Sequence, residues 1–279
     1  MTTVKSILAK QINLPSPPII IQKLQSHITE EDVNNKELAE IIETDASFTA
    51  RILRLVNSPF YGFVGRIKSV EEAITMLGFN TVHQLLLTTS MLNTVKVENK
   101  IIDLNKFWLH SFSVGVMAKH LLCKADKDIQ NEGFMGGILH DIGRMIFVKM
   151  DPDRFISFYT QEDKVIDLES EAEYFDINHQ ELGKILAEKW NFPESISSAI
   201  AYHHFPDEAP DYQLLASAVN IADMLCHALN IGDSFSYYIT DFFPSAWDRL
   251  NIEMNELETV FKDAFKEIDK SKILMGMMN

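Results

Sequence analysis

Apolar residues recur at three- and four-residue spacing along most of the chain, which places one apolar stripe on a helix. The first such segment, Pro17–Leu24, opens with prolines, where a helix start tolerates a missing N–H. KELAEIIET follows Asn34 as a cap with Glu37 three residues on. ASFTARILRLVN follows Asp45 and gathers Phe48, Ile52, Leu55 and Val56 on one face. The segment NSPFYG, Asn57–Gly62, stops that helix because Pro59 and Gly62 do not continue it. Ser69 and Glu72 form a capping box for VEEAITMLG, with Gly78 as its stop, and TVHQLLLTTSML follows.

Charge rises over Val95–Lys100, which reads as a hinge between an N-terminal helical lobe (1–95) and a second lobe (96–279). The second lobe contains NKFWLHSFSVGVMAKHLL, then GFMGGILHDIGRMIFVKM. HQELGKILAEKW comes next, capped by Asp176 or Asn178 and ended near Pro193, and is followed by ESISSAIAYHH and QLLASAVNIADMLCHAL. In the tail, Leu257, Phe261, Ala264, Phe265 and Ile268 share one face, which makes it a packing helix. No strand-like alternation is sustained, so the expected class is all-α, a two-lobed helical bundle. An aromatic cluster including Phe60, Tyr61 and Phe107 is expected to be buried near the lobe junction.

Composition narrows the functional classes. With 25 Lys and Arg against 40 Asp and Glu, the net charge of −15 repels phosphate backbones and anionic lipid, so neither nucleic acid nor membrane is an expected partner. The two cysteines, Cys123 and Cys226, lie in apolar helical patterns and read as buried, reduced thiols. The N-terminus has no apolar signal core, and the apolar run around His140 is interrupted by Asp141 and Arg144. The expected location is the cytoplasm.

The chemistry is concentrated in the second lobe. His140 and Asp141 are adjacent in an otherwise apolar helical segment, where an imidazole and a carboxylate both need partners. His203 and His204 end another apolar helix, His110 sits in WLHSFS, His179 begins a helix, and Asp223 lies in AVNIADMLC. Each has an ordinary reading as a hydrogen-bonded core residue or cap, and His27, His83, His120 and His227 are read that way. Together, however, His110, His140, Asp141, His179, His203, His204 and Asp223 form a nitrogen-and-oxygen donor set without thiolate. Such a set suits one or two transition-metal ions, Fe, Mn, Zn or Ni. The spacings fit no local motif, so only a bundle that draws several helices together could assemble them.

The segments LPSPPIIIQKLQ, ELAEIIETDASFTARILRLVNSPFYG and IKSVEEAITMLGFNTVHQLLL resemble the HDOD (HD-related output domain) family. FWLHSFSVGVMAKHLL, GGILHDIGRMIF, HQELGKILAEKWNFP and AIAYHH resemble its HD-like part. The resemblance spans about the whole chain and implies a signal-transduction module with signalling-protein partners. Compared with the related HD-GYP phosphodiesterases, it implies one metal on His110, His140, Asp141 and Asp223. A second would use Asp141 as a bridge, with His179, His203 and His204. Arg144 stands where those enzymes place a phosphate-contacting lysine, which gives Asp141 and Arg144 catalytic roles in the alternative, a dinuclear metal-dependent phosphohydrolase acting on a phosphate-containing small molecule. Three departures stand out. Lys106 replaces a third-metal Glu of one subgroup, Phe205 follows His204 where a Glu would stand, and FPDEAPDYQ occupies the place of the GYP segment.

Overall fold

The computed structural model of the protein describes residues 35–44, 49, 50, 52, 53, 56, 57, 65–78, 82, 102–161, 166–235 and 242–278. Every regular element among them is a helix, as the periodicity predicts. The chain divides into two compact units. The described part of one lies within 102–269; the other holds the described residues up to 82, together with the end of the last helix.

In the unit before residue 95, α1 (Asn35–Glu43) packs on α2 (Val70–Leu77) through Leu38, Ala39, Ile42, Val70, Ala73 and Ile74. Ser69 caps α2 as predicted, its side chain accepting from Glu72 N at 3.1 Å, and Gly78 closes it at φ +82°. The Glu72 carboxylate accepts from Lys68 N at 2.7 Å, one residue before the expected capping-box partner. Asn57 staples the segment: its Nδ2 donates to Leu53 O and Ile67 O, and its Oδ1 accepts from Ile67 N. Asn34, Asp45, Phe60 and Tyr61 lie outside the described residues.

The larger unit is built around two helices, α3 (Leu104–Ala125) and α4 (Gln130–Leu139), which pack along each other. Next come α5 (Ile142–Met150), α6 (Pro152–Tyr159), α7 (Leu168–Phe175), α8 (His179–Lys189), α9 (Glu194–Tyr202) and α10 (Gln213–Ala228). The described chain ends with α11 (Pro244–Leu250) and α12 (Met254–Met278). α10 packs on α3 and α4, α9 packs on α4 and α8, and α8 packs on α5. Phe107 is buried, stacked on Phe235 with centroids 5.5 Å apart and edge-on to Trp108. Val260, Ala264 and Ile268 bury one stripe of α12.

Two expectations need correction. The segment around His140 is not one helix: α4 ends at Leu139 and α5 starts at Ile142, so His140 and Asp141 form the corner between them. Cys226 is buried, but Cys123 is exposed, because it falls on the outward face near the end of α3, just after the buried pair Leu121 and Leu122.

Candidate metal centre

Helix ends deliver most of the candidate ligands. His140 and His203 occupy C-cap positions, where the last carbonyls of a helix lack intrahelical donors. His140 Nδ1 donates to Gly137 O at 2.7 Å and His203 Nδ1 to Ile200 O at 2.9 Å, so each imidazole closes its own helix. His179 opens α8 behind its cap Asn178, and its Nδ1 pairs with Glu171 Oε2 at 2.6 Å. His110, inside α3, bonds Ile231 O through Nδ1 at 3.2 Å. An oxygen acceptor at Nδ1 puts the proton there and leaves Nε2 as a lone-pair donor. All four histidines therefore turn Nε2 inward.

These nitrogens converge on two carboxylates. Asp141 Oδ1 lies 3.2 Å from His179 Nε2 and 3.8 Å from His203 Nε2, and its Oδ2 lies 3.4 Å from His140 Nε2. His204 Nε2 is 3.2 Å from His179 Nε2, which is itself 3.3 Å from His203 Nε2. Asp223 Oδ1 lies 2.9 Å from His110 Nε2 and 3.5 Å from His140 Nε2. All seven residues expected from the sequence thus meet at one place. Asp141 joins both ends of it, belonging with His179, His203 and His204 on one side and with His110 and His140 on the other.

Three further residues complete the surroundings. Arg144 is buried, with Nη1 held at 2.8 Å by Asp141 Oδ2 and at 2.8 Å by Ser234 O, while Nε stands 3.6 Å from Glu171 Oε1. Its guanidinium is thus engaged by the central carboxylate. Glu171, which carried no signal in the acidic segment LESEAEYF, is buried and ties His179 to the Tyr159 hydroxyl at 2.7 Å. His227, read from the sequence as an ordinary histidine, lies with Nε2 3.4 Å from Asp223 Oδ1.

Burial alone would raise the Asp141 carboxyl, but Arg144, then His140 and His179, hold it well below the usual carboxylate range. Asp223 is likewise lowered against burial, by His227, by the hydrogen bond to His110 and by the charge of His140. For Glu171 the charge and hydrogen bonds of His179, then Arg144, outweigh burial and bring it to about 2. Burial lowers His203 well below an ordinary imidazole, and burial followed by His179 brings His204 down to about 3. Both are neutral at physiological pH. Burial also lowers His140, but the charges of Asp141 and Asp223 override it and raise it to about 10.

The residues fit a cation. His140 Nε2 and Asp141 Oδ1 are buried without a hydrogen-bond partner, a costly state that a shared metal relieves. Lone-pair nitrogens facing one another at 3.2–3.3 Å call for the same remedy. The imidazole and carboxylate donors match first-row transition ions.

The chain is 26% identical over 239 residues to an uncharacterised protein of Treponema pallidum (strain Nichols), an alignment covering 81% of this chain and 44% of the relative. It therefore spans under half the length of that relative. Among solved structures, a candidate signal-transduction protein of Marinobacter aquaeolei VT8 superposes with TM-score 0.80 at 20% identity, covering 97% of this chain and 61% of the other. A candidate phosphohydrolase of Shewanella amazonensis SB2B superposes with TM-score 0.74 at 24% identity, covering 96% and 98%. Both likenesses share the all-helical fold. The HDOD domain family matches residues 14–206, most of the 279-residue chain, and the protein belongs to that family.

Proposed function

We propose that this protein is an HDOD signal-transduction module, with residues 1–95 and 96–279 as its lobes, whose second lobe holds one or two transition-metal ions, Fe, Mn, Zn or Ni. The observation that carries the metal reading is the pair of partnerless buried atoms, His140 Nε2 and Asp141 Oδ1, inside a ring of inward-turned imidazoles. The regulatory reading is supported by family membership and by Arg144, whose Nη1 is taken up by Asp141 Oδ2 and Ser234 O. A cationic group so engaged stabilises the centre and is poorly placed to bind a substrate phosphate. A signalling protein is the proposed partner. Among the described residues, no helix is long and apolar enough to cross a membrane.

Metal content of chain purified without chelator, together with thermal unfolding of the stripped and reloaded chain, tests this function. The expected result is stoichiometric metal and a rise in Tm on reloading. Ligand at a hundredfold excess over Kd stabilises by about 2.7 kcal/mol. A chain that takes up none of the four metals would refute it.

A second reading, a metal-dependent phosphohydrolase acting on a phosphate-containing small molecule, draws support from the split of Asp141, with Oδ1 toward His179 and Oδ2 toward His140. Ions held there by Asp141 and the histidines would supply Lewis-acid activation of a phosphate ester. In that reading Asp141 would orient both ions, and Arg144 would give up its bonds to Asp141 and Ser234 to reach the phosphate oxygens. Hydrolysis of bis(p-nitrophenyl) phosphate by the loaded chain, lost in Asp141→Asn, would favour it over the regulatory function.

A further inference from the structure

The Asp223 end of the cluster contains one more imidazole than the family resemblance assigns. Asp223 and His227 stand one turn apart on α10 and point the same way. Three Nε2 atoms surround Asp223 Oδ1: His110 at 2.9 Å, His227 at 3.4 Å and His140 at 3.5 Å. The rings of His110 and His227 are 4.6 Å apart by centroid. His110, Asp223 and His227 each offer a donor atom within 4.8 Å of the other two, a spacing one ion can span.

The loop after α10 fixes this arrangement. Ile231 O accepts from His110 Nδ1, Asp233 N donates to Lys106 O at 3.0 Å, and the fully buried Ser234 sets its hydroxyl 3.1 Å from His227 Nε2. Gly232 makes the approach possible: its φ is +73°, and a Cβ there would collide with the backbone of His110 and Lys106. One short loop therefore orients both imidazoles, and through Ser234 O it also holds Arg144. His227 presents one nitrogen, Nε2, to both a carboxylate and a hydroxyl on the cluster side. Its side chain is 13% exposed, against 1% for His110 and 2% for Asp223, so it forms the rim of the centre.

We propose that His227 is a metal ligand, joining His110 and Asp223 around the ion at that end of the cluster. The inference rests on the metal reading above. It gives that ion a further imidazole nitrogen, supplied by a side chain at the rim of the centre.

The test uses the full chain stripped of metal and titrated with Co²⁺, followed by visible absorption and by bound-cobalt stoichiometry. His227→Ala is compared with wild type and with His120→Ala, a histidine paired to Glu267 away from the cluster. We expect His227→Ala to weaken one of the bound cobalt ions by about tenfold or more, to alter the ligand-field absorption of that ion, and to regain the wild-type spectrum when imidazole is added. His120→Ala should match wild type. His227→Gln supplies the same comparison should the alanine variant fail to fold. If wild type binds cobalt and the His227 variants keep its ligand-field spectrum, with or without a change in affinity, the imidazole is not a ligand and this inference alone falls. If wild type binds no cobalt, the metal reading falls with it.

Discussion

Glu171 Oε2 lies 2.6 Å from His179 Nδ1 and also accepts the His179 backbone N–H at 2.8 Å, so one carboxylate fixes both the ring and the start of α8. A carboxylate behind a ligating imidazole sets its tautomer and raises its basicity. We predict that Glu171→Gln lowers affinity for the ion at the His179 end about 10- to 100-fold while the His110–Asp223 end binds as before. Competition with a chromophoric chelator, resolving two affinities, would show this. A variant with both affinities unchanged would mean that Glu171 serves only to hold Tyr159.

Asp141 and Arg144 are paired in the interior, at 2% and 4% side-chain exposure. Removing one partner of such a pair leaves a buried charge uncompensated and costs about 3–5 kcal/mol. Asp141→Ala should therefore destabilise even the metal-free chain by about 3 kcal/mol, and the double variant Asp141→Ala with Arg144→Met should recover much of that loss. Urea unfolding of the stripped proteins reads this directly. Equal midpoints for wild type and Asp141→Ala would contradict it.

Gly143 is packed against the backbone of His179, where a Cβ would collide with the carbonyl. Gly143→Ala is predicted to push α8 away from α5 and to cost about 1–3 kcal/mol, in the range of overpacked cores. Because His179 sits at the contact, metal binding should fall together with stability. A Tm and a metal content both at wild-type values would show that the two helices have slack there.

Glu267 on α12 accepts from Lys119 at 3.0 Å and pairs with His120 at 2.9 Å on α3. Burial would raise its carboxyl, but the His120 hydrogen bond and Lys119 lower it below the ordinary glutamate value. A lowered carboxylate contributes stability that is fully present above the unfolded-state pKa of about 4.3 and is lost as pH falls through the folded value. Wild type should therefore exceed Glu267→Gln in stability near pH 6, and the gap should close as pH drops below about 4. A gap that stays constant from pH 6 to pH 3 would rule out this linkage.

The helical class could be read from the sequence because apolar spacing and caps are local. Ser69 beside Glu72, Asn178 before His179 and Gly78 after Leu77 act within a few residues, and the structure uses all three. The members of the donor set were also visible in the sequence, since a histidine or carboxylate in an apolar helical run raises a question by itself. Their placement could not be read, because it depends on contacts between segments far apart in the chain. The corner at His140–Asp141 forms where α4 packs against α9 and α5 against α8, a demand that overrides a periodicity running straight through. Glu171 looks like any acidic residue on an exposed helix until the fold buries it against His179. His227 looks ordinary until α3 and the loop after α10 bring His110 and Ser234 to its ring. Arg144 resembles a phosphate contact in sequence position, yet tertiary packing sets its charge on Asp141. Local chemistry determined which side chains could bind a cation, and long-range burial decided which of them come together.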